Sequence, residues 1–140
     1  MSETGKTVVI IEATVNAPVE KVWAFWTEPE HIKQWNSASD DWHTPRAEND
    51  LRVGGKFLSR MEARDESFGF DFEGIYVEVE PLSVIAYSLA DGRQVRTVFE
   101  SEGDRTKITT NFDAESQNPV EMQKGGWQAI LNNFKKYAEG

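Results

Sequence analysis

Apolar positions along this chain change their spacing from two residues to three or four and back, and each change marks an element. Residues 6–15 (KTVVIIEATV) are rich in β-branched side chains and predict a first strand. Asn16-Ala17-Pro18 ends it. Pro18 opens a helix, because its φ is already set and no donor is needed there, and Glu20 suits the positive end of the helix dipole. Val19, Val22, Trp23 and Trp26 then fall at i, i+3, i+4 and i+7, one apolar stripe. Thr27-Glu28-Pro29-Glu30 interrupts it. With Thr27 as cap and Glu30 three residues on, a capping box starts a second short helix whose buried edge is Ile32 and Trp35.

Residues 36–54 are the least regular stretch, a loop at 36–41 followed by a short strand over 46–52. After Gly54-Gly55 the pattern becomes a meander, with strands over 56–64, 68–80, 83–90, 93–102 and 105–114. Their separators (Asp65-Glu66-Ser67, Pro81-Leu82, Asp91-Gly92, Gly103-Asp104) are turn formers, and links this short require antiparallel neighbours. Phe68, Phe70 and Phe72 share one face of the long strand, whereas Ile75, Val77 and Val79 are in the other phase. A bulge or bend at Gly74 explains the switch and predicts a sheet able to wrap something.

The last segment is the clearest helix. Asn118 is placed as its cap, Pro119 at its first position and Glu121 in its first turn. Trp127, Ile130, Leu131, Phe134 and Ala138 follow at i, i+3, i+4, i+7 and i+11. Gly125-Gly126 interrupts this helix at about 1 kcal/mol each relative to Ala. Close approach to the sheet or to a bound molecule is the expected compensation. The elements therefore describe one α+β domain over residues 1–140: a curved antiparallel sheet around a long C-terminal helix, with two short helices after the first strand.

Composition narrows the function classes. The net charge of −9 is spread evenly, with 8 Lys+Arg against 12 Asp+Glu in residues 1–70 and 7 against 12 in 71–140. No basic stripe exists to meet nucleic acid or an anionic membrane surface. The absence of cysteine excludes disulfides, thiolate catalysis and cysteine-based zinc sites. No apolar run reaches the length of a membrane span and the first residues do not read as a signal peptide, so a cytoplasmic protein without membrane insertion is expected, as monomer or weak dimer. The aromatic content stands out: 5 Trp, 8 Phe and 3 Tyr.

Several stretches carry more than periodicity. Ala17-Pro18-Val19-Glu20-Lys21-Val22-Trp23 runs into Trp26-Thr27-Glu28-Pro29-Glu30-His31-Ile32-Lys33-Gln34-Trp35. Gly54-Gly55-Lys56-Phe57, residues 73–81 (EGIYVEVEP), Arg105-Thr106-Lys107-Ile108-Thr109 and Gly126-Trp127 follow in order. Together they resemble the SRPBCC superfamily of START-like, helix-grip proteins, in the branch similar to the C-terminal domain of the activator of the 90-kDa heat-shock chaperone's ATPase. The resemblance implies a sheet of about seven strands gripping the C-terminal helix, a hydrophobic cavity between them, and two short helices closing one end. Members include lipid and hormone carriers, polyketide cyclases and aromatases, and chaperone regulators, so the fold alone does not choose among them.

The residues offer little catalytic machinery. His31 falls in the polar part of the second short helix, where a solvated side chain is expected. His43 follows Trp42 at the expected cavity mouth, and a backbone-bonded loop histidine competes with a catalytic one. Glu78 would be a proton-transfer group if Gly74 turned it inward, with Arg96 or Arg60 as partner; an exposed cross-strand ion pair is the rival reading. Two histidines without a partner motif do not make a metal site, and no cofactor is expected.

Trp23, Phe25, Phe99, Phe112 and Phe134 can be plain core. The remaining aromatics suit a site for a small apolar or aromatic molecule, formed by Trp26, Trp35, Trp42, His43, Phe57, Met61, Phe70, Phe72, Tyr76, Glu78, Tyr87, Trp127 and Ile130. Non-catalytic binding in an internal cavity ranks first. A chaperone-regulating interaction module ranks second, because the activator's additional N-terminal domain has no counterpart in these residues. A cyclase- or aromatase-like enzyme ranks third.

Overall fold

A computed structural model describes residues 7–37, 40–116 and 118–140. The element order is β1 (Val8–Val15), α1 (Val19–Thr27), α2 (Pro29–Trp35), β2 (Trp42–Asn49), β3 (Lys56–Ala63), β4 (Gly69–Glu80), β5 (Val84–Leu89), β6 (Gln94–Glu102), β7 (Arg105–Asp113) and α3 (Val120–Glu139). The expected start of the first strand at Lys6 lies outside the described residues. Seven antiparallel strands form one sheet in the order β1-β7-β6-β5-β4-β3-β2. The hairpins β2 to β7 follow the chain, and β1 closes onto β7 across the sequence, with Val8 opposite Asp113 and Val15 opposite Thr106.

The concave face carries the alternating residues that the sheet must bury. Val9, Ile11 and Val15 of β1, Val95 and Phe99 of β6, and Ile108 and Phe112 of β7 are all buried. Leu131, Phe134 and Ala138 of α3 complete this core, so the helical stripe and the strand alternation meet as halves of one apolar interior. Of the seven strands, α3 approaches β1 most closely, and its C-terminal half also touches α1 and α2. Asn133 Nδ2 donates to the Ser37 carbonyl at 2.9 Å, and Asn16 N–H donates to Glu139 Oε2 at 2.7 Å, fastening the end of α3 to both flanks of the short helices.

Several local expectations need correction. Strand β2 begins at Trp42 rather than 46, because Trp42 and His43 already pair with Ala63 and Glu62 before a register shift at 43–46. Thr27 does not cap α2: its hydroxyl donates back to the Trp23 carbonyl at 2.8 Å, and Glu28 takes the cap position without a side-chain bond. Asn118 likewise does not cap α3, since its amide donates to Glu115 Oε1 and Pro119 precedes the first helical residue.

The phase switch in β4 falls later than Gly74. Gly74 stays in register, between Phe57 of β3 and Leu89 of β5. The irregularity lies between Tyr76 and Glu78, so Val77 is the extra residue. Gly74 has a different reason for being glycine: a Cβ there would sit 2.8 Å from the Ser88 carbonyl oxygen and 2.9 Å from the Phe57 ring. Close approach to the sheet does not explain Gly125-Gly126, because a Cβ on either meets nothing within 4 Å.

Candidate functional site

Because α3 lies over the β1 side and α1 packs against β6 and β7, the concave face of β3 to β5 is left without a helix close against it. The space between encloses a cavity of about 370 Å³. Strand alternation aims Phe57, Ser59 and Met61 of β3 into it, with Phe70, Phe72 and Tyr76 from β4. Ile85 and Tyr87 of β5 continue the wall, and Val95 and Thr97 of β6 with Thr110 of β7 form the floor. Trp26, Ile32 and Trp35 close one end from the short helices, and Trp127, Ile130 and Leu131 form the helical side.

The aromatic rings pack in two groups. Trp26 and Trp35 lie 5.0 Å apart between centroids, and both meet Phe134 edge-on at 4.8 and 5.0 Å. Trp35 Nε1 donates to the Phe25 carbonyl at 2.9 Å, which fixes its ring against the core. The second group is built on Phe57, which touches Tyr87 at 4.5 Å, Tyr76 at 5.4 Å and Phe72 at 5.8 Å. Trp127 joins the second group to α3, edge-on to Phe72 at 6.2 Å.

Polar groups inside are few. Thr97 and Thr110 satisfy each other at 2.9 Å. The Tyr76 hydroxyl donates to Asn49 Oδ1 at 2.5 Å, and burial pushes this phenol above its ordinary value. Burial does the same to Tyr87, whose hydroxyl has no hydrogen-bond partner among the described residues. No group of three His, Asp or Glu side chains gathers as a metal ion would need, among the described residues.

Ten of the thirteen residues placed at the site from sequence line this cavity: Trp26, Trp35, Phe57, Met61, Phe70, Phe72, Tyr76, Tyr87, Trp127 and Ile130. Three do not. Trp42 sits at the end of the sheet, edge-on to Phe68 and Phe70 at 6.0 and 6.1 Å, rather than with the other tryptophans. His43 pairs with Glu62 on the opposite face of the strands, with its Nε2 3.9 Å from Glu62 Oε1. Glu78, turned outward by the bulge at Val77, accepts from Arg96 Nε at 3.1 Å as an exposed ion pair.

His31 also departs from its expectation. Its ring stacks on Phe25 at 4.1 Å and its Nδ1 shares a 2.7 Å hydrogen bond with the Tyr137 hydroxyl, joining α2 to the end of α3. Among lining residues not singled out, Ser59, Ile85, Val95, Thr97 and Thr110 share the inward phase of strands already assigned, so alternation could have found them. Arg93, the first residue of the strand read over 93–102, shares the phase of Val95 and Thr97, so the same alternation could have found it too.

A curved sheet gripping a helix around an apolar cavity is a shape with many owners. The family described as "Activator of Hsp90 ATPase homolog 1-like protein" matches residues 16–139. The chain belongs to that family. Among solved structures, the AHSA1-like protein of Aeromonas hydrophila is 43% identical, covers 95% of this chain and 92% of its own, and superposes with a TM-score of 0.89. A protein from Cytophaga hutchinsonii is 51% identical over 94% of this chain and 91% of its own, with a TM-score of 0.82. At 20% identity a Chromobacterium violaceum protein shares the fold, with a TM-score of 0.84 over 95% of this chain and 97% of its own. No curated protein matches the chain. Family membership thus accords with the helix-grip architecture, and no helix among the described residues is long and apolar enough to cross a membrane.

Proposed function

We propose that this AHSA1-like protein binds a small hydrophobic molecule in the cavity between α3 and strands β3 to β6, without chemistry on it. The supporting observation is the cavity itself: about 370 Å³ of space walled by aromatic and aliphatic side chains, where a domain that used them only as core would fill the volume. Removing apolar surface from water is worth about 25 cal/mol per Å². A ligand burying a few hundred Å² would reach on the order of micromolar affinity after the cost of association. No lining residue forms a nucleophile–base pair, so binding needs fewer assumptions than catalysis.

Titration with naphthalene, biphenyl and decanol should shift and saturate tryptophan emission, because Trp26, Trp35 and Trp127 line the space. The midpoint of thermal unfolding should rise with ligand concentration, since only the folded state has the site. Met61→Trp should fill the cavity and abolish both responses while the protein stays folded. If none of these compounds moves either signal in the wild type, the binding reading fails.

The family match supports a second reading, an interaction module acting on a chaperone ATPase. It predicts saturable stimulation of a purified 90-kDa heat-shock chaperone's ATP turnover; no change in turnover would set it aside.

A further inference from the structure

Two polar groups of the cavity lining, Tyr87 and Arg93, have donors to spare. Tyr87 lines the wall with its ring edge-on to Phe57, and no described residue takes its hydroxyl hydrogen. Arg93 stands where β5 turns into β6, a hairpin closed by the 2.8 Å bond from Leu89 N–H to the Arg93 carbonyl. Val95 faces Tyr87 directly in the register, so Arg93 lies one inward position further along the same face. Its side chain lines the cavity and remains about one-third exposed (31%), which places the guanidinium at the mouth rather than in the interior.

Arg93 Nε donates to Asp91 Oδ2 at 2.7 Å, and its side chain makes no other hydrogen bond among the described residues. Its two terminal amino groups are therefore open to a second acceptor. The acid among the lining residues, Glu48, is occupied by an ion pair with Arg46. The charge of Arg93 reaches the Tyr87 phenol, where it opposes the effect of burial, so the two groups share one electrostatic neighbourhood. A guanidinium with a free edge, lining the same cavity as an unpaired hydroxyl, is complementary to a carboxylate.

We propose that the cavity selects an apolar monocarboxylic acid, held with its hydrocarbon body against Trp26, Trp35, Phe57 and Ile85. Its carboxylate meets Arg93 at the mouth and accepts the Tyr87 hydroxyl. This rests on the binding reading above. At the mouth the carboxylate keeps part of its hydration, so the desolvation cost that penalises a deeply buried ion pair is largely avoided. The long-range field of a chain with net charge −9 favours cations, so a preference for an acid would have to come from these local donors.

Four probes of one size test this: 2-methylnaphthalene, 2-naphthoate, methyl 2-naphthoate and 2-naphthylmethylamine, titrated at pH 7 by calorimetry. The acid should bind about tenfold more tightly than methylnaphthalene, and the amine no more tightly than it. Arg93→Gln should erase the advantage of the acid over methylnaphthalene, and Tyr87→Phe should reduce that advantage about fivefold, each read as the ratio of the two affinities within the same variant. If the ester binds as well as the acid, the charge plays no part and the proposal fails. Binding of methylnaphthalene without preference for the acid overturns this inference and leaves the binding reading standing. Binding of none of the four overturns both.

Discussion

Trp127 lies flat on Phe112, with ring centroids 4.2 Å apart and planes 11° from parallel. The stack ties the middle of α3 to β7, at the boundary between the packed half of the concave face and the open half. Trp127 is half-buried, whereas Phe134, two turns further along the same stripe, is fully buried. Phe134→Ala should therefore cost about 3–5 kcal/mol and Trp127→Ala about 2 kcal/mol. Urea unfolding of the two variants checks the order. A larger loss for Trp127 would show that the stack, rather than the buried stripe, carries the helix.

The two glycines preceding Trp127 are expected to be improvable. A Cβ at Gly125 or Gly126 meets nothing within 4 Å, so alanine removes the helix penalty without a clash. Each substitution should stabilise by about 1 kcal/mol, read as a higher unfolding midpoint. Loss of stability in either variant would mean that the helix needs flexibility or contact there.

Gly74 should behave in the opposite way. Its Cβ would press on the Ser88 carbonyl and the Phe57 ring, so Gly74→Ala should destabilise by about 1–3 kcal/mol. Trimming the ring in Gly74→Ala/Phe57→Leu should recover part of the loss. A fully additive double mutant would rule out the ring contact as the cause.

Alkaline pH should weaken the fold through Tyr76 and Tyr87. Burial raises both phenols above their ordinary value of about 10, so the unfolded chain loses protons that the folded one keeps. Their contribution is complete below pH 10, and stability should fall as the pH rises beyond it. Tyrosinate absorbance should show these two phenols titrating only as the protein unfolds. Stability independent of pH between 10 and 12 in the wild type, or an equal fall in Tyr76→Phe/Tyr87→Phe, would contradict this.

Much of the architecture was legible in the sequence because it rests on period. The stripe from Trp127 to Ala138, the paired short helices and the five-strand meander each repeat a spacing that only one element satisfies. Ten residues chosen for their aromatic or apolar character line the cavity, six from strands and four from helices. The misplacements have local physical causes. Trp42 was grouped with Trp26 and Trp35 by closeness in sequence, yet it belongs to an edge strand that points its ring at Phe68 and Phe70. His43 is next to Trp42, and adjacency in a strand puts it on the other face. Arg93 is in the phase of Val95, and was passed over because a charged side chain at a strand end reads as solvated.

The extra residue at Val77 works as a frame shift in the alternation of β4. Upstream of it the even-numbered positions Phe72, Gly74 and Tyr76 face the cavity side, and downstream Val79, opposite Ile85, takes over that role. Excising Val77 would leave Glu78 opposite Ala86 and Val79 opposite Ile85 in an unbroken ladder, whereas straightening the bulge with Val77 retained would bring the carboxylate of Glu78 into the interior and send Val79 to the solvent. Within this scaffold, an apolar chamber and one holding a buried acid differ by whether one residue is looped out of the ladder or paired within it, so the bulge is what keeps that carboxylate out of the interior.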